Sequence, residues 1–357
     1  MEVRVEKNPN PKRPPTDEEL SNIHFGSVFT NHMLLIDYKK GQGWHDARIV
    51  PYGPLSLDPA TCALHYGQLI FEGMKAYKTK DGRIVMFRPD QNMARMNNSC
   101  ERMCIAPIDE RETLEAISKL VRVESDWVPA SPGTSLYVRP FIVANEAFLG
   151  VHPSNSFLFA TILSPVGSYF KSGLEPVRIY VENKYVRAVR GGTGFAKCAG
   201  NYAASLKSQE EATKAGYSQV LWLDGIERKY IEEVGGMNIF FVIDGEVVTP
   251  ELNGSILPGV TRKSIIELVK SWGMPISERK ISIQELADAY KTGRAREAMC
   301  AGTAAVISPI GELKWGDVVM RFNDGKIGPV SQRLYDEITS IQTCAKPDKF
   351  GWVYEVK

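Results

Sequence analysis

Residues 191–205 read GGTGFAKCAGNYAAS: one lysine, Lys197, in a run that also holds Gly191, Gly192, Gly194 and Gly200. Two readings compete. A surface hairpin accounts for the glycines, because they enter turn conformations without steric cost. It does not account for Tyr202, nor for the apolar-acidic segment YIEEVGGMNIFF (230–241) further on. The other reading makes Lys197 a reactive amine around which the bare backbone packs closely. On this stretch alone both stay open.

Outward from the lysine, the chain reads as strands and helices in irregular order. VRIYVE (177–182) precedes it as a strand, and a helix is expected from about Tyr202 to a stop at Gly216. SQVLWL ends at the turn signal Asp224-Gly225, and NIFFVI and EVVT flank Asp244-Gly245, a hairpin signal. VTRKSIIELVKSWG (260–273) places Ile265, Leu268, Val269 and Trp272 on one helical face, with Gly273 as its stop. SIQELADAY opens on Ser282 and Glu285 at capping-box spacing.

The first half is strand-rich, with GRIVMF (82–87), TSLYVRPFIVA (134–144) and SFLFATIL (156–163). A helix is expected from near Asp109, with Leu114, Ile117, Leu120 and Val121 on one face. SPVGSYFKSGLEP (164–176) is rich in Gly, Ser and Pro. The expected organisation is therefore an N-terminal α/β domain over 1–165, a linker at 166–176, and a C-terminal α/β domain over 177–357 carrying Lys197. The class is α+β in two domains. Strands and helices do not alternate regularly enough for a doubly wound sheet.

A chain of 357 residues suits two cores, and 43% hydrophobic with 24% charged residues is ordinary for a globular protein. Forty-three basic against forty-two acidic residues leave no excess for gripping nucleic acid or anionic lipid. The proline-rich, charged N-terminus lacks the apolar core of a signal peptide, and the longest uncharged stretch, Ala147–Phe170, is broken by Pro153. A cytoplasmic protein with no membrane partner is expected. Six dispersed cysteines, of which Cys100 and Cys104 would share a face on a helix, support neither a disulfide framework nor a zinc site.

Several chemistries lack their residues. The glycine run gives G-x-G-x-x-K, without the third glycine of a dinucleotide fingerprint, and no P-loop is present. The five histidines never fall at metal-ligand spacing, and there is no G-x-S-x-G elbow. A lysine remains as the nucleophile of interest. A lysine amine forms a Schiff base once burial or dipoles make it available, and its natural electrophile is pyridoxal phosphate. That cofactor wants helix N–H groups for its phosphate, a carboxylate for its ring nitrogen and a donor for its phenolate oxygen. LPGVTRKSII, the Glu232-Glu233 pair before VGGMN, Tyr202 and CAGTAAVISP (300–309) offer each. Spacing alone stops at a lysine-dependent cofactor enzyme.

FEGMKAY (71–77), FRPDQNMARM (87–96), SLYVRP (135–140), the Lys197 run, QVLWLDG, EEVGGMNIFF and LPGVTR together resemble the branched-chain amino acid aminotransferases, pyridoxal-phosphate enzymes of fold type IV. The resemblance runs in order from about Phe25 to the last helix. It implies Lys197 as the Schiff-base lysine and proton shuttle, Glu233 at the ring nitrogen and Tyr202 at the phenolate oxygen. It implies Arg95, Val260, Thr261 and Thr303 at the phosphate. Tyr137 and Arg139 match the polar end of the substrate pocket, where the arginine receives glutamate's side-chain carboxylate. The backbone at Thr303 and Ala304 takes the α-carboxylate, and Phe25, Tyr66, Phe71 and Tyr169 match the apolar wall. Family members are homodimers in which Tyr66 reaches across.

The implied reaction moves an amino group between leucine, isoleucine or valine and 2-oxoglutarate in two half-reactions through the pyridoxamine form. A D-amino-acid transaminase, an aminodeoxychorismate lyase-like enzyme, or a non-catalytic cofactor binder are the alternatives. Two departures stand out. Gly236 replaces a threonine found in some relatives, which puts more of the holding on backbone N–H groups. Ala305 and Ser308 replace a CxxC pair of some eukaryotic relatives, so no thiol switch is expected there.

Overall fold

Asp244 and Gly245 carry φ of 52° and 80°, the left-handed pair that a two-residue hairpin requires. They join Met237–Ile243 to Glu246–Thr249 in antiparallel register. The other local signals hold similarly. Asp109 caps Glu110–Val123 by accepting from the Glu112 N–H at 2.8 Å. Ser282 caps Ile283–Lys291 by accepting from the Glu285 N–H, while the Glu285 carboxylate turns to Arg279 at 2.8 Å. Gly216 and Gly273 follow their helices with φ of 84° and 69°, although the single helix expected from Tyr202 is instead two, Ala199–Ala203 and Leu206–Lys214.

The computed structural model describes residues 1–167 and 174–357. Tyr169, and residues 168–173 of the expected linker, lie outside them. The described residues form two units, each with its own nine-stranded sheet. No helix among them is long and apolar enough to cross a membrane.

One unit comprises residues 1–167 with Ala196–Ala199 and Ser340–Lys357. Its sheet runs Arg4–Val5, Gly43–Pro51, His32–Lys39, Ser156–Val166, Ser135–Ala144, Met74–Lys78, Ile84–Phe87, Val353–Glu355, with Leu69–Phe71 also pairing on Ser135–Ala144. All pairs but the first are antiparallel. Two helices, Pro89–Arg102 and Glu110–Val123, share a core with this sheet. Met93, Met96, Cys100, Ile117 and Leu120 meet Leu34, Ile36, Leu136, Val138 and Phe157 there.

The other unit comprises residues 174–195 and Gly200–Thr339. Its sheet runs Ile231–Val234, Gln219–Leu223, Val177–Val181, Val306–Trp315, Ala295–Gly302, Met237–Ile243, Glu246–Thr249, Ile276–Glu278, with Val318–Arg321 also pairing on Val306–Trp315. A further pairing of Ile231–Val234 with Met237–Ile243 closes its first strands into a ring, which brings the Glu232-Glu233 strand beside the Asn238 strand.

The expected division, with everything after 176 in one domain carrying Lys197, needs correction. Ala196–Ala199 and the last eighteen or so residues group with the first unit. The causes are long-range pairings. Cys198 bridges to Ile70, Phe71 donates its N–H to the Lys197 carbonyl at 3.0 Å, and Val353–Glu355 pairs with Ile84–Phe87. Local patterns carry no information about such partners. The Cys100–Cys104 expectation also changes: Cys100 is buried in its helix, whereas Cys104 lies beyond the helix end, exposed, with φ 52°.

Candidate active site

In the first unit Lys197 is held by its main chain. Its N–H donates to Ser99 Oγ at 2.9 Å, and its carbonyl accepts from Phe71. Its amine lies 4.9 Å from the centre of the Phe71 ring. Ser99 belongs to a buried polar stripe, Asn92, Arg95 and Ser99, at i, i+3 and i+7 on the Pro89–Arg102 helix. Beside it runs the apolar stripe Met93, Met96 and Cys100 that builds the core, so one helix serves both packing and the site.

The polar stripe is matched by Glu72, which is fully buried. Its two oxygens accept from Arg95 Nε and Nη2, each at 2.8 Å, and it also accepts from Asn92 Nδ2 at 2.8 Å and the Gly73 N–H at 3.2 Å. Burial alone pushes this carboxyl up. Arg95, the Lys197 charge and Asn92 outweigh burial and hold it below the usual range.

A second group gathers on the opposite face of the same sheet. Leu136 and Val138 point into the core, so Tyr137 and Arg139 point away from it. Arg139 Nη2 donates to Tyr137 Oη at 2.9 Å, and its guanidinium lies 4.7 Å from the Phe71 ring centre. Phe25 packs edge-on against Tyr137 at 4.9 Å. Arg139 Nε is buried with no hydrogen-bond partner among the described residues, an orphaned cationic donor. Lys75 sits directly across from Tyr137 in the strand pairing, and burial pushes its amine down to about 8. Tyr66 is exposed and donates to the Leu149 carbonyl.

The second unit arranges a different set. Glu233 is 1% exposed, accepts the Leu257 N–H at Oε1, and lies 3.4 Å from Arg187 Nε at Oε2. Asn238 Nδ2 donates to the Leu257 carbonyl at 3.0 Å, which stitches the Leu257–Gly259 segment to the neighbouring strand. A Cβ at Gly259 would fall 2.0 Å from Asn238 Oδ1, so this position is bare backbone by necessity. Gly259 opens the Val260–Ser271 helix, which has no side-chain cap, and the N–H groups at the start of a helix lack intrahelical acceptors. Val260 and Thr261 lie in this first turn, suited to an anion. Tyr202 lies over Gly236: a Cβ there would sit 3.5 Å from its ring. Thr303 and Ala304 form the turn between Ala295–Gly302 and Val306–Trp315.

The first unit thus brings together Lys197, Arg95, Phe71, Tyr137, Arg139 and Phe25, and the second holds Tyr202, Glu233, Val260, Thr261, Thr303 and Ala304. Sequence reasoning missed Glu72, Ser99, Lys75 and Arg187. The polar stripe beside the apolar one in NMARMNNSC was a usable signal for Ser99. Nothing local marks Glu72 or Arg187, whose partners come from other elements.

The chain matches the family described as amino-transferase class IV over residues 69–313. It is 56% identical over 354 residues to the branched-chain-amino-acid aminotransferase 2 of Bacillus subtilis (strain 168), covering 99% of this chain and 97% of that one. Among solved structures, the Escherichia coli branched-chain amino acid aminotransferase superposes with a TM-score of 0.76 at 29% identity, covering 90% of this chain and 99% of that one. The branched-chain aminotransferase of the thermophilic archaeon Thermoproteus uzoniensis, solved with norvaline, gives 0.74 at 25%, covering 91% and 100%.

Proposed function

The chain belongs to the class IV aminotransferases, in their branched-chain group, and we propose that it exchanges the amino group between leucine, isoleucine or valine and 2-oxoglutarate with pyridoxal 5′-phosphate as its cofactor. The observation that carries this reading is Lys197, an amine positioned through main-chain bonds to Ser99 and Phe71. The donor set fits the cofactor. The uncapped helix start behind the obligatory Gly259 suits a phosphate, and the buried Glu233 carboxylate suits a protonated ring nitrogen.

When bound, the cofactor supplies an aldehyde for the lysine and a ring that draws electrons from the substrate Cα. Lys197 would hold it covalently and, with its amine free, would carry the proton between the substrate Cα and the cofactor carbon C4′ within each half-reaction. Glu233 would keep the ring nitrogen charged, and Tyr202 would donate to the phenolate oxygen. Val260, Thr261 and Thr303, with Arg95, would hold the phosphate. Phe25, Tyr66 and Phe71 would exclude water around the aliphatic side chain.

Arg139, with its orphaned buried Nε, receives the side-chain carboxylate of glutamate, while the backbone at Thr303 and Ala304 takes the α-carboxylate. A homodimer is supported by the exposed apolar side chains Leu64, Tyr66, Phe148, Leu149 and Val151 in the first unit. A cytoplasmic setting is supported by six cysteines that are all free.

The test is the absorption spectrum of the purified protein before and after leucine, then borohydride reduction and peptide mapping. A visible band that bleaches with leucine, and an adduct on Lys197, is the expected result. Absence of the band after adding the cofactor refutes the reading. Gly73→Ala gives a second prediction. Its Cβ would fall 2.1 Å from Tyr137 Oη, so the tyrosine must move and break its bond to Arg139. KM for 2-oxoglutarate should rise by about tenfold or more, the scale of one lost hydrogen bond to a charged group, with a smaller effect for leucine. Equal effects on both substrates would show that the Tyr137–Arg139 pair has no part in reading the carboxylate.

A further inference from the structure

Arg187 lies between the Val177–Val181 strand and the glycine run, and its side chain is 4% exposed. Its Nε is 3.4 Å from Glu233 Oε2, and its Nη1 donates to the Ser255 carbonyl at 3.0 Å and the Gly194 carbonyl at 3.3 Å. One guanidinium therefore fastens the Glu233 strand, the Ser255 segment and the glycine run just ahead of Lys197. Burying both ions is costly, and the 3.4 Å between Arg187 Nε and Glu233 Oε2 is longer than the charge-assisted hydrogen bond that would best offset desolvation. Stability is a poor reason for the pair, and chemistry is a better one.

Resting on the reading that Glu233 faces the cofactor's ring nitrogen, we propose that Arg187 is a positioning residue. It keeps the Glu233 carboxylate ionised, so that the proton shared between them stays on the ring nitrogen. In the competing state the ring N–H bond is broken and that proton forms an O–H bond on Glu233, leaving both groups neutral. A guanidinium beside the carboxylate disfavours this state, because an opposite charge stabilises the ionised form. No electron is transferred in either direction.

The surrounding charges favour Glu233 as Arg187's partner. Glu232, next along the strand, accepts from Ser255 Oγ and from Asn253 Nδ2 at 3.2 Å. Burial pushes its carboxyl up, and the Asp224 charge adds to this, against those bonds and the weaker pull of Arg187. Glu232 therefore competes poorly for the guanidinium. On Glu233 itself, Oε1 is taken by the Leu257 N–H, which leaves Oε2 as the side nearest Arg187.

The experiment uses the holoenzyme reconstituted with cofactor labelled at the ring nitrogen, read by NMR at neutral pH, in the wild type, Arg187→Met and Arg187→Lys. Borohydride labelling of Lys197 in the wild type comes first. No label overturns the functional reading, and this inference with it. Label together with an unprotonated ring nitrogen in the wild type overturns the role of Arg187 alone.

The expected result is a protonated ring nitrogen in the wild type and in Arg187→Lys, which keeps the charge. In Arg187→Met the signal should move to the unprotonated position, since an adjacent opposite charge is worth about 1–3 pH units. Its kcat for leucine should fall about tenfold or more while KM changes little. A wild-type nitrogen signal in Arg187→Met would reduce Arg187 to packing. Should that variant fail to fold, the wild type and Arg187→Lys still decide: loss of ring protonation in Arg187→Lys overturns the charge argument.

Discussion

Lys197→Ala is expected to abolish transamination while the protein folds as before. The two bonds that fasten this segment, to Ser99 Oγ and from the Phe71 N–H, belong to the main chain, and alanine keeps both. Cys198, buried at 2%, is untouched, as is its bridge to Ile70. What disappears is the amine, and with it both the covalent attachment and the proton carrier at Cα. General acid–base function alone contributes about 10²–10⁴-fold, so turnover with leucine and 2-oxoglutarate should drop by at least about 10³-fold. Circular dichroism and the thermal midpoint of the protein without cofactor should stay near those of the parent. Turnover within tenfold of wild type would remove Lys197 from the chemistry.

The second large effect is on stability. Glu72→Ala removes the carboxylate that takes both Nε and Nη2 of Arg95, leaving a guanidinium that is 7% exposed without that counter-charge. Breaking a buried pair from one side typically costs about 3–5 kcal/mol, and urea unfolding should register a loss of that order. Replacing both partners, Glu72→Leu with Arg95→Met, should recover much of it, because the buried guanidinium is then removed together with its counter-charge. If the double variant is as unstable as the sum of the singles, the pair is not the cause.

The pH dependence follows from the direction of the shift. The folded carboxyl is held below its unfolded value, so the folded state binds fewer protons. Its stabilisation is present above about pH 4, the unfolded carboxylate range, and is lost as pH falls through the folded value. Glu72→Gln should flatten the acid limb of the stability curve. An acid limb identical to wild type would count against an ionised Glu72.

The elements that were legible in the sequence share one property: their signal is local. Asp244-Gly245 demanded left-handed backbone, Asp109 and Ser282 supplied caps, and Gly216 and Gly273 stopped helices, each within a few residues of what it controls. The hairpin of His32–Lys39 with Gly43–Pro51 was not anticipated, and neither was the Pro89–Arg102 helix, where the buried polar stripe interrupts the apolar pattern that marks a helix. Lys197, Tyr202 and Glu233 could be named because they stand in distinctive runs.

By itself, then, the sequence determined the identity of most elements, the α+β class and the amine worth testing. Periodicity, turn chemistry and motif order are properties of neighbouring residues. The tertiary structure alone decided that Lys197 groups with the first unit, that Glu72 neutralises Arg95, that Lys75 faces Tyr137 across a strand pair, and that Arg187 lies against Glu233. Each of those depends on contacts between segments that lie apart in the chain. A carboxylate finds its cation only after the sheet has closed, and burial then makes the pairing matter.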